Sequence, residues 1–427
     1  MRDLPAVIEH IGRGEEWFRR RFFEKGLLNV ERVRVRSSDS CAAESHAINN
    51  ALNQTRQPRV ILARVIGHID LDYFYAQVEE LEDPSIRNRP VVVCVFSGRT
   101  ADSGVVSTAN YKARAFGVRS GMPITIAKKK LDGHNPAMIR MEHEKYENVS
   151  KRVMDLVSEH VDVFEKSGID EAFFDITASS EGDFGVAPRI AQEVKDVIVR
   201  DEGLTCSIGI GRSKVVAKLG SDSAKPGGLT VVTPESTIAF LGPLPVISLY
   251  GVGPKTAAVL GEMNVKTIEE LSRSDVSLLT RRLGSKLALY LQAAATGTDS
   301  DPVVAGLEPT QFSRIVTLKR DTREAKEALG QLEQGIESVQ KKLADSGKSF
   351  RTVSAIGIFT DLSTRTKSKT FDSAVKDPSL VRECTRILLG SLLESTDKYL
   401  RRVGIRISEF SDTKDQSSLS QYIEHDG

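Results

Sequence analysis

Gly67-His68-Ile69-Asp70-Leu71-Asp72-Tyr73-Phe74-Tyr75 is the stretch on which the fold turns. The apolar run over 60–69 has the character of a buried strand. It delivers Asp70 and Asp72 onto one face through the two-residue strand period. Over 73–81 the apolar spacing becomes helical, and 91–96 reads as a second strand. Strands near 163–164, 172–176, 206–210 and 229–232 alternate with helices, which predicts an α+β core around a mixed sheet.

A second acidic point answers the first. In Ser167-Gly168-Ile169-Asp170-Glu171-Ala172-Phe173-Phe174-Asp175-Ile176, adjacent carboxylates are set among apolar residues of strand character. Unpaired carboxylates beside a core cost several kcal/mol unless cations neutralise them or they take up a proton. Magnesium accepts one or two carboxylates and completes its octahedron with phosphates and water. Two such ions ~3.5–4 Å apart activate an attacking hydroxyl and stabilise a leaving pyrophosphate. Taken singly, each acidic point is more often the mark of solvated acids at a strand end.

Outward from these points, the 427 residues exceed what one core supports, so on the order of three or four domains are expected. Hydrophobic residues at 40% and charged residues at 27% are those of an ordinary globular chain. A formal charge of +1 neither marks nor excludes a nucleic-acid binder, since basic patches survive a balanced total. Cys41, Cys94, Cys206 and Cys384 lie far apart with no zinc or redox spacing, which suits a reducing compartment. No apolar run approaches the ~20 residues of a membrane span, so a cytoplasmic location is expected. Residues 1–60 differ from the rest: an amphipathic stretch around Trp17, Phe18, Phe22 and Phe23, then a polar run over 37–58. They read either as a helical appendage on a loose linker or as a mis-assigned start.

The two acidic points belong to a longer ordered set of strings: Asp70 to Glu80, Pro90 to Arg99, Thr108 to Val118, Ser167 to Ala172, and Ala224-Lys225-Pro226-Gly227-Gly228. In these the chain closely resembles the Y-family DNA polymerases, in the polymerase IV branch and its archaeal members, over about residues 62–411. The resemblance implies a right-hand polymerase with palm and fingers at 61–239 and a helix-hairpin-helix thumb at 240–298. A tether at 299–310, a β-α-β-β-α-β little finger at 311–411 and a tail at 412–427 follow. It implies that Asp70, Asp170, Glu171 and the main-chain carbonyl of Leu71 bind two Mg2+ ions, for which Mn2+ can substitute. By the same resemblance Asp72 serves the structure around the site. Tyr75 is the steric gate against a ribonucleotide, in a nucleotide site with Tyr73, Phe74 and Thr108, and Tyr111, Arg114 and Lys225 hold the triphosphate. A planar guanidinium suits phosphate, and the three-residue spacing puts Tyr111 and Arg114 on one helix face. Alone, Tyr75 is equally a core aromatic, and Lys225 a surface lysine before a turn. The small residues of Ser103-Gly104-Val105-Val106-Ser107-Thr108 fit a roomy site, although Val105 and Ser107 stand where some relatives carry alanine.

Tyr250-Gly251-Val252-Gly253-Pro254-Lys255 reads as a hairpin whose Gly251, Gly253 and Lys255 meet a DNA phosphate, or as a tight helix-helix turn. Strand and helix periodicities from 313 to 408 independently give β-α-β-β-α-β. Arg314, Lys319 and Arg320, with Arg323, Arg365, Lys367 and Lys369, form a basic set for DNA or a solvated basic face. The tether is acidic and neutral, unlike the basic tether of similar polymerases. Gln416, Leu419 and Tyr422 approximate a sliding-clamp peptide, with Ile423 in place of the second aromatic, and a polar tail is the alternative. A monomeric translesion polymerase without proofreading, bound to primer-template DNA and deoxynucleoside triphosphates, is the expected function. A silent scaffold lacking the carboxylates and a nucleotidyl cyclase lacking DNA-gripping modules fit less of the chain.

Overall fold

The computed structural model describes residues 62–306 and 308–412. The extension at 1–60 and the tail peptide with Gln416, Leu419 and Tyr422 lie outside the described residues. The first elements are β1 (Ile66–Leu71), α1 (Phe74–Glu82), β2 (Val91–Phe96), β3 (Gly104–Ala109), α2 (Tyr111–Ala115), α3 (Ile124–Lys130) and β4 (Ala137–Arg140). Then come α4 (His143–Glu159), β5 (Val163–Lys166), β6 (Glu171–Asp175), α5 (Ala187–Glu202), β7 (Cys206–Gly211), α6 (Lys214–Ser223) and β8 (Leu229–Val231).

β1 is the middle of a five-stranded sheet, β5-β6-β1-β7-β8, antiparallel to both neighbours. A strand covered on both faces needs apolar residues at both parities, and Ile66 and Ile69 are both fully buried. The strand begins at Ile66 rather than at 60, because its ladder ends where Asp175 and Gly211 stand opposite Ile66. One face packs on α6. The helix approaches so closely that a Cβ on Gly209 would lie 2.1 Å from the Ala217 carbonyl oxygen. The other face carries the main core, with Ile69, Leu71 and Phe74 buried among Val153, Val157, Val194 and Ile198 from α4 and α5. A smaller sheet, β3-β2-β4, packs with α2 and α3 around Val92, Cys94, Val106 and Ile124.

The helical module consists of α7 (Thr237–Leu241), a 3-10 turn at Val246–Ser248, α8 (Pro254–Glu262), α9 (Ile268–Ser272), α10 (Val276–Leu283) and α11 (Ser285–Ala295). Only a 3-10 turn precedes the hairpin, since Pro243 and Pro245 prevent a longer helix there. Gly251, at φ 85°, makes the turn that a side chain would strain, and Gly253 caps α8.

The last module follows the expected order: β9 (Gln311–Thr322), α12 (Ala325–Ser346), β10 (Lys348–Phe359), β11 (Thr364–Val375), α13 (Ser379–Glu394) and β12 (Leu400–Ser408). Its sheet runs β11-β10-β12-β9, with a short β13 (Ser411–Asp412) on β10. The cross-strand row Lys367–Ala355–Ile405–Arg314 contains the core residues Ala355 and Ile405, so Arg314 and Lys367 flank the helix-bearing face. The next row, Ser368–Ser354–Arg406–Ser313, lies on the open face, as does Arg402. Between the modules, Val303 is buried with Ile66 and Ala217, and the Val304 amide donates to Glu165 Oε2 at 2.7 Å. The acidic tether thus docks on the first module.

Cys94, Cys206 and Cys384 are buried free thiols. Among the described residues no helix is long and apolar enough to cross a membrane.

Candidate active site

Where β1 ends beside β3 and α2, a cavity of about 360 Å³ opens. Asp70, Leu71, Tyr73, Phe74, Tyr75, Ser107, Thr108, Tyr111, Arg114, Asp170 and Lys225 line it. Ser120 and Ile169 line it too, and neither stood out in the sequence.

The carboxylates arrive on neighbouring strands. Asp70 is the cross-strand partner of Glu171, and the Leu71 amide donates to the Asp170 carbonyl at 2.9 Å. Burial raises the Asp70 carboxyl from 3.8 to about 6, even though Lys225 Nζ lies 2.7 Å from its Oδ2. Burial also raises Asp170, and the adjacent Glu171 charge adds to the effect. Glu171 behaves oppositely. Its carboxylate turns toward Lys218 on α6, which pairs with Oε2, while His68 Nε2 stands 3.4 Å away. His68 and Lys218 together hold it down to about 2. Burial lowers His68, which disfavours the charged imidazolium, and Lys218 pairs directly with the carboxylate. Among the described residues no three His, Cys, Asp or Glu side chains are gathered closely enough to hold a metal ion.

Asp72 has a separate task. Fully buried, it accepts from Thr205 Oγ1, Ser207 Oγ and the Gly227 amide, each at 2.8 Å. It therefore ties the end of β1 to β7 and to the loop bearing Lys225, a structural role that the resemblance implied.

On the opposite wall, Asn110 caps α2 by accepting from the Ala113 amide at 2.9 Å. The helix presents Tyr111 and Arg114 together, with the guanidinium 5.0 Å from the Tyr111 ring centre. Tyr111 also meets Tyr73 edge-on at 5.3 Å. The Tyr111 hydroxyl is buried without a hydrogen-bond partner. Such an orphan donor is costly unless a ligand satisfies it. With Arg114 and Lys225 nearby, the cavity brings donors for an anion together with carboxylates whose charge is penalised by burial.

The remaining candidates lie elsewhere. Gly251, Gly253 and Lys255 form the hairpin before and at the start of α8, and Lys255 is exposed. Arg314, Lys319 and Arg320 lie on β9, where Arg320 pairs with Glu327 at 2.6 Å. Arg402 and Arg406 on the open face were missed. Their signal was the alternation with the apolar Val403, Ile405 and Ile407, which are buried on the other face.

The impB/mucB/samB family matches residues 69–222, and its C-terminal domain matches 309–420. DNA polymerase IV of Methanosarcina acetivorans is 40% identical over 370 residues, covering 85% of this chain and 100% of the relative. That of Nitrosopumilus maritimus is 38% identical, covering 84% and 99%. Among solved structures, a Y-family DNA polymerase chimera of Dbh and Dpo4 superposes with a TM-score of 0.76 at 32% identity, covering 81% of this chain and 98% of its own. An insertion ternary complex of Dbh DNA polymerase gives 0.60 at 32% identity, with the same coverage. The chain belongs to the Y-family DNA polymerases of the polymerase IV group, with their multidomain right-hand fold, as a DNA-directed DNA polymerase.

Proposed function

We propose that this polymerase extends a primer 3′-hydroxyl with deoxynucleotides at the palm cavity, with low fidelity, across damaged templates and without proofreading. The observation that carries the reading is the pairing, in one cavity, of the partnerless Tyr111 hydroxyl with the carboxylates of Asp70 and Asp170, whose charge is penalised by burial. An anion satisfies the first and cations satisfy the second, as a metal-bound triphosphate would. The donor set fits hard divalent ions: Asp70 and Asp170 line the cavity, and Glu171 is the cross-strand partner of Asp70. Asp70, Asp170, Glu171 and the Leu71 carbonyl would hold two Mg2+ ions, with Mn2+ as a substitute. When bound, such ions lower the barrier to hydroxyl attack and neutralise the departing pyrophosphate.

The chain's own residues do the positioning. Tyr111 and Arg114 donate to the triphosphate oxygens. Lys225 exchanges Asp70 for phosphate as the nucleotide enters, and Tyr75, with Tyr73 and Phe74 in the same wall, stands against the sugar 2′ position. Ser107, Thr108 and Ser120 leave room over the nascent base pair, so a misshapen or damaged pair meets little penalty. Palm and fingers are assigned to 61–239, thumb to 240–298, tether to 299–310 and little finger to 311–411. Gly251, Gly253 and Lys255 grip a DNA phosphate. Arg314, Lys319 and Arg320 flank the duplex, joined by Arg402 and Arg406 on the open sheet face. The tail at 412–427 carries the clamp peptide, and the enzyme works as a cytoplasmic monomer.

Primer extension on undamaged and abasic templates, with and without magnesium, tests the reading. Magnesium-dependent synthesis past the abasic site is expected, and its loss in a D170A/E171A variant that still binds primer-template. Undiminished synthesis by that variant sinks the metal assignment, and stalling at every lesion sinks the translesion reading.

A further inference from the structure

The ring of Tyr75 is braced from behind. Tyr146, on α4, stacks against it with ring centres 4.1 Å apart and planes 16° from parallel. Tyr146 is fully buried, so the stack is part of the core rather than a surface encounter. Its hydroxyl donates to Glu79 Oε1, and Lys145 Nζ reaches the same oxygen at 2.5 Å. Glu79 follows Tyr75 by one helical turn on α1, so a single helix carries both the ring and the anchor of its brace. Burial, with the bond to Glu79, pushes the Tyr146 phenol far above its ordinary range, and it remains a donor at every working pH.

A ring that merely lined a cavity could tilt about its side-chain torsions, because sp³–sp² torsions are broad. Stacking on a neighbour fixes the plane, and hydrogen bonding that neighbour fixes its depth. A steric filter depends on such placement, since an extra hydroxyl is excluded only while the ring cannot retreat. We propose that Tyr146 and Glu79, with Lys145, are positioning residues for sugar selection, holding the Tyr75 ring at the depth where it rejects a ribonucleotide. This rests on the reading of Tyr75 as the steric gate and extends it to a buried chain that touches no substrate.

The test measures kcat/KM for one deoxynucleotide and its ribonucleotide in the wild type, Tyr75→Ala, Tyr146→Leu, Tyr146→Phe, Glu79→Ala and Glu79→Gln. Tyr75→Ala should abolish discrimination. Tyr146→Leu removes the stack and should reduce the deoxy-to-ribo ratio by roughly tenfold, chiefly through faster ribonucleotide insertion. Glu79→Ala should reduce it by roughly threefold, while Glu79→Gln, which still accepts from the phenol, should stay near wild type. Tyr146→Phe keeps the stack and should fall between wild type and Tyr146→Leu. If Tyr75→Ala abolishes discrimination while Tyr146→Leu and Glu79→Ala leave the ratio unchanged, the brace is refuted and the gate stands. Equal losses for both sugars also refute it, as the marks of a merely structural role. If Tyr75→Ala leaves discrimination unchanged, the gate reading fails and the brace with it. Should Tyr146→Leu not fold, the Glu79 pair and Tyr146→Phe decide the matter.

Discussion

Replacing Asp70 by Asn should make the metal-free protein more stable, by an amount that grows with pH. The Asp70 carboxyl is raised from 3.8 to about 6, first by burial and then by the charges of Asp170 and Asp222, against the opposing pull of Lys225. A carboxyl raised on folding binds its proton more tightly in the native state. The native state is therefore penalised progressively as pH climbs from the unfolded value toward the folded one, and the penalty is constant above. Each tenfold in proton affinity is about 1.4 kcal/mol, so the full penalty is on the order of 3 kcal/mol, roughly half of it already present at about pH 5. The side chain is only 18% exposed, so solvent screening removes little of this. Asn is nearly isosteric and carries no charge, and Lys225 keeps Asp222 at 2.7 Å. Urea titrations in chelator, followed by far-UV circular dichroism, should show Asp70→Asn gaining about 1–2 kcal/mol on the wild type between about pH 5 and about pH 8. Magnesium should then narrow the gap, by stabilising only the chain that keeps the carboxylate. A stability difference that is flat with pH, or a variant less stable throughout, would refute the reasoning.

Three further outcomes are expected. Tyr111→Phe removes a buried, partnerless hydroxyl, so the melting temperature should hold or rise while KM for the deoxynucleotide increases roughly tenfold; an unchanged KM speaks against a triphosphate contact. Gly67→Ala puts a Cβ 2.0 Å from the Phe174 ring and should destabilise the palm by about 1–3 kcal/mol, with Phe174→Leu restoring part of the loss in a double-mutant melt. Replacing Arg402 and Arg406 by Ala should lower the salt-dependence slope of DNA binding by about 2, and a slope equal to wild type would remove them from the interface.

The palm was legible because its deciding strand is central: burial on both faces forces the apolar run of Ile66–Leu71, and only function explains the acid that interrupts it. Tyr111 and Arg114 were legible as a pair, because their three-residue spacing sets both on one helix face. The orientation of Glu171 was not. It depends on how closely α6 approaches the sheet, which the glycines Gly209 and Gly220 permit but which no spacing in the chain announces. Tyr146 was hidden for a related reason, since an aromatic on an amphipathic helix has the same appearance whether it packs on aliphatic side chains or on Tyr75. The arginines of the open sheet face were within reach of the sequence, since Arg402 and Arg406 alternate with the buried Val403, Ile405 and Ile407.

The triple anchorage of Asp72 bears on how the enzyme comes into being. Thr205, Ser207 and Gly227 trail it by 133, 135 and 155 residues, so a nascent chain that has emerged only as far as β6 holds an acid with none of its native donors. Until Gly227 leaves the ribosome, the end of β1 is not tied to the loop bearing Lys225. The catalytic cleft should thus mature late in synthesis, and prematurely terminated fragments should be inert rather than promiscuous.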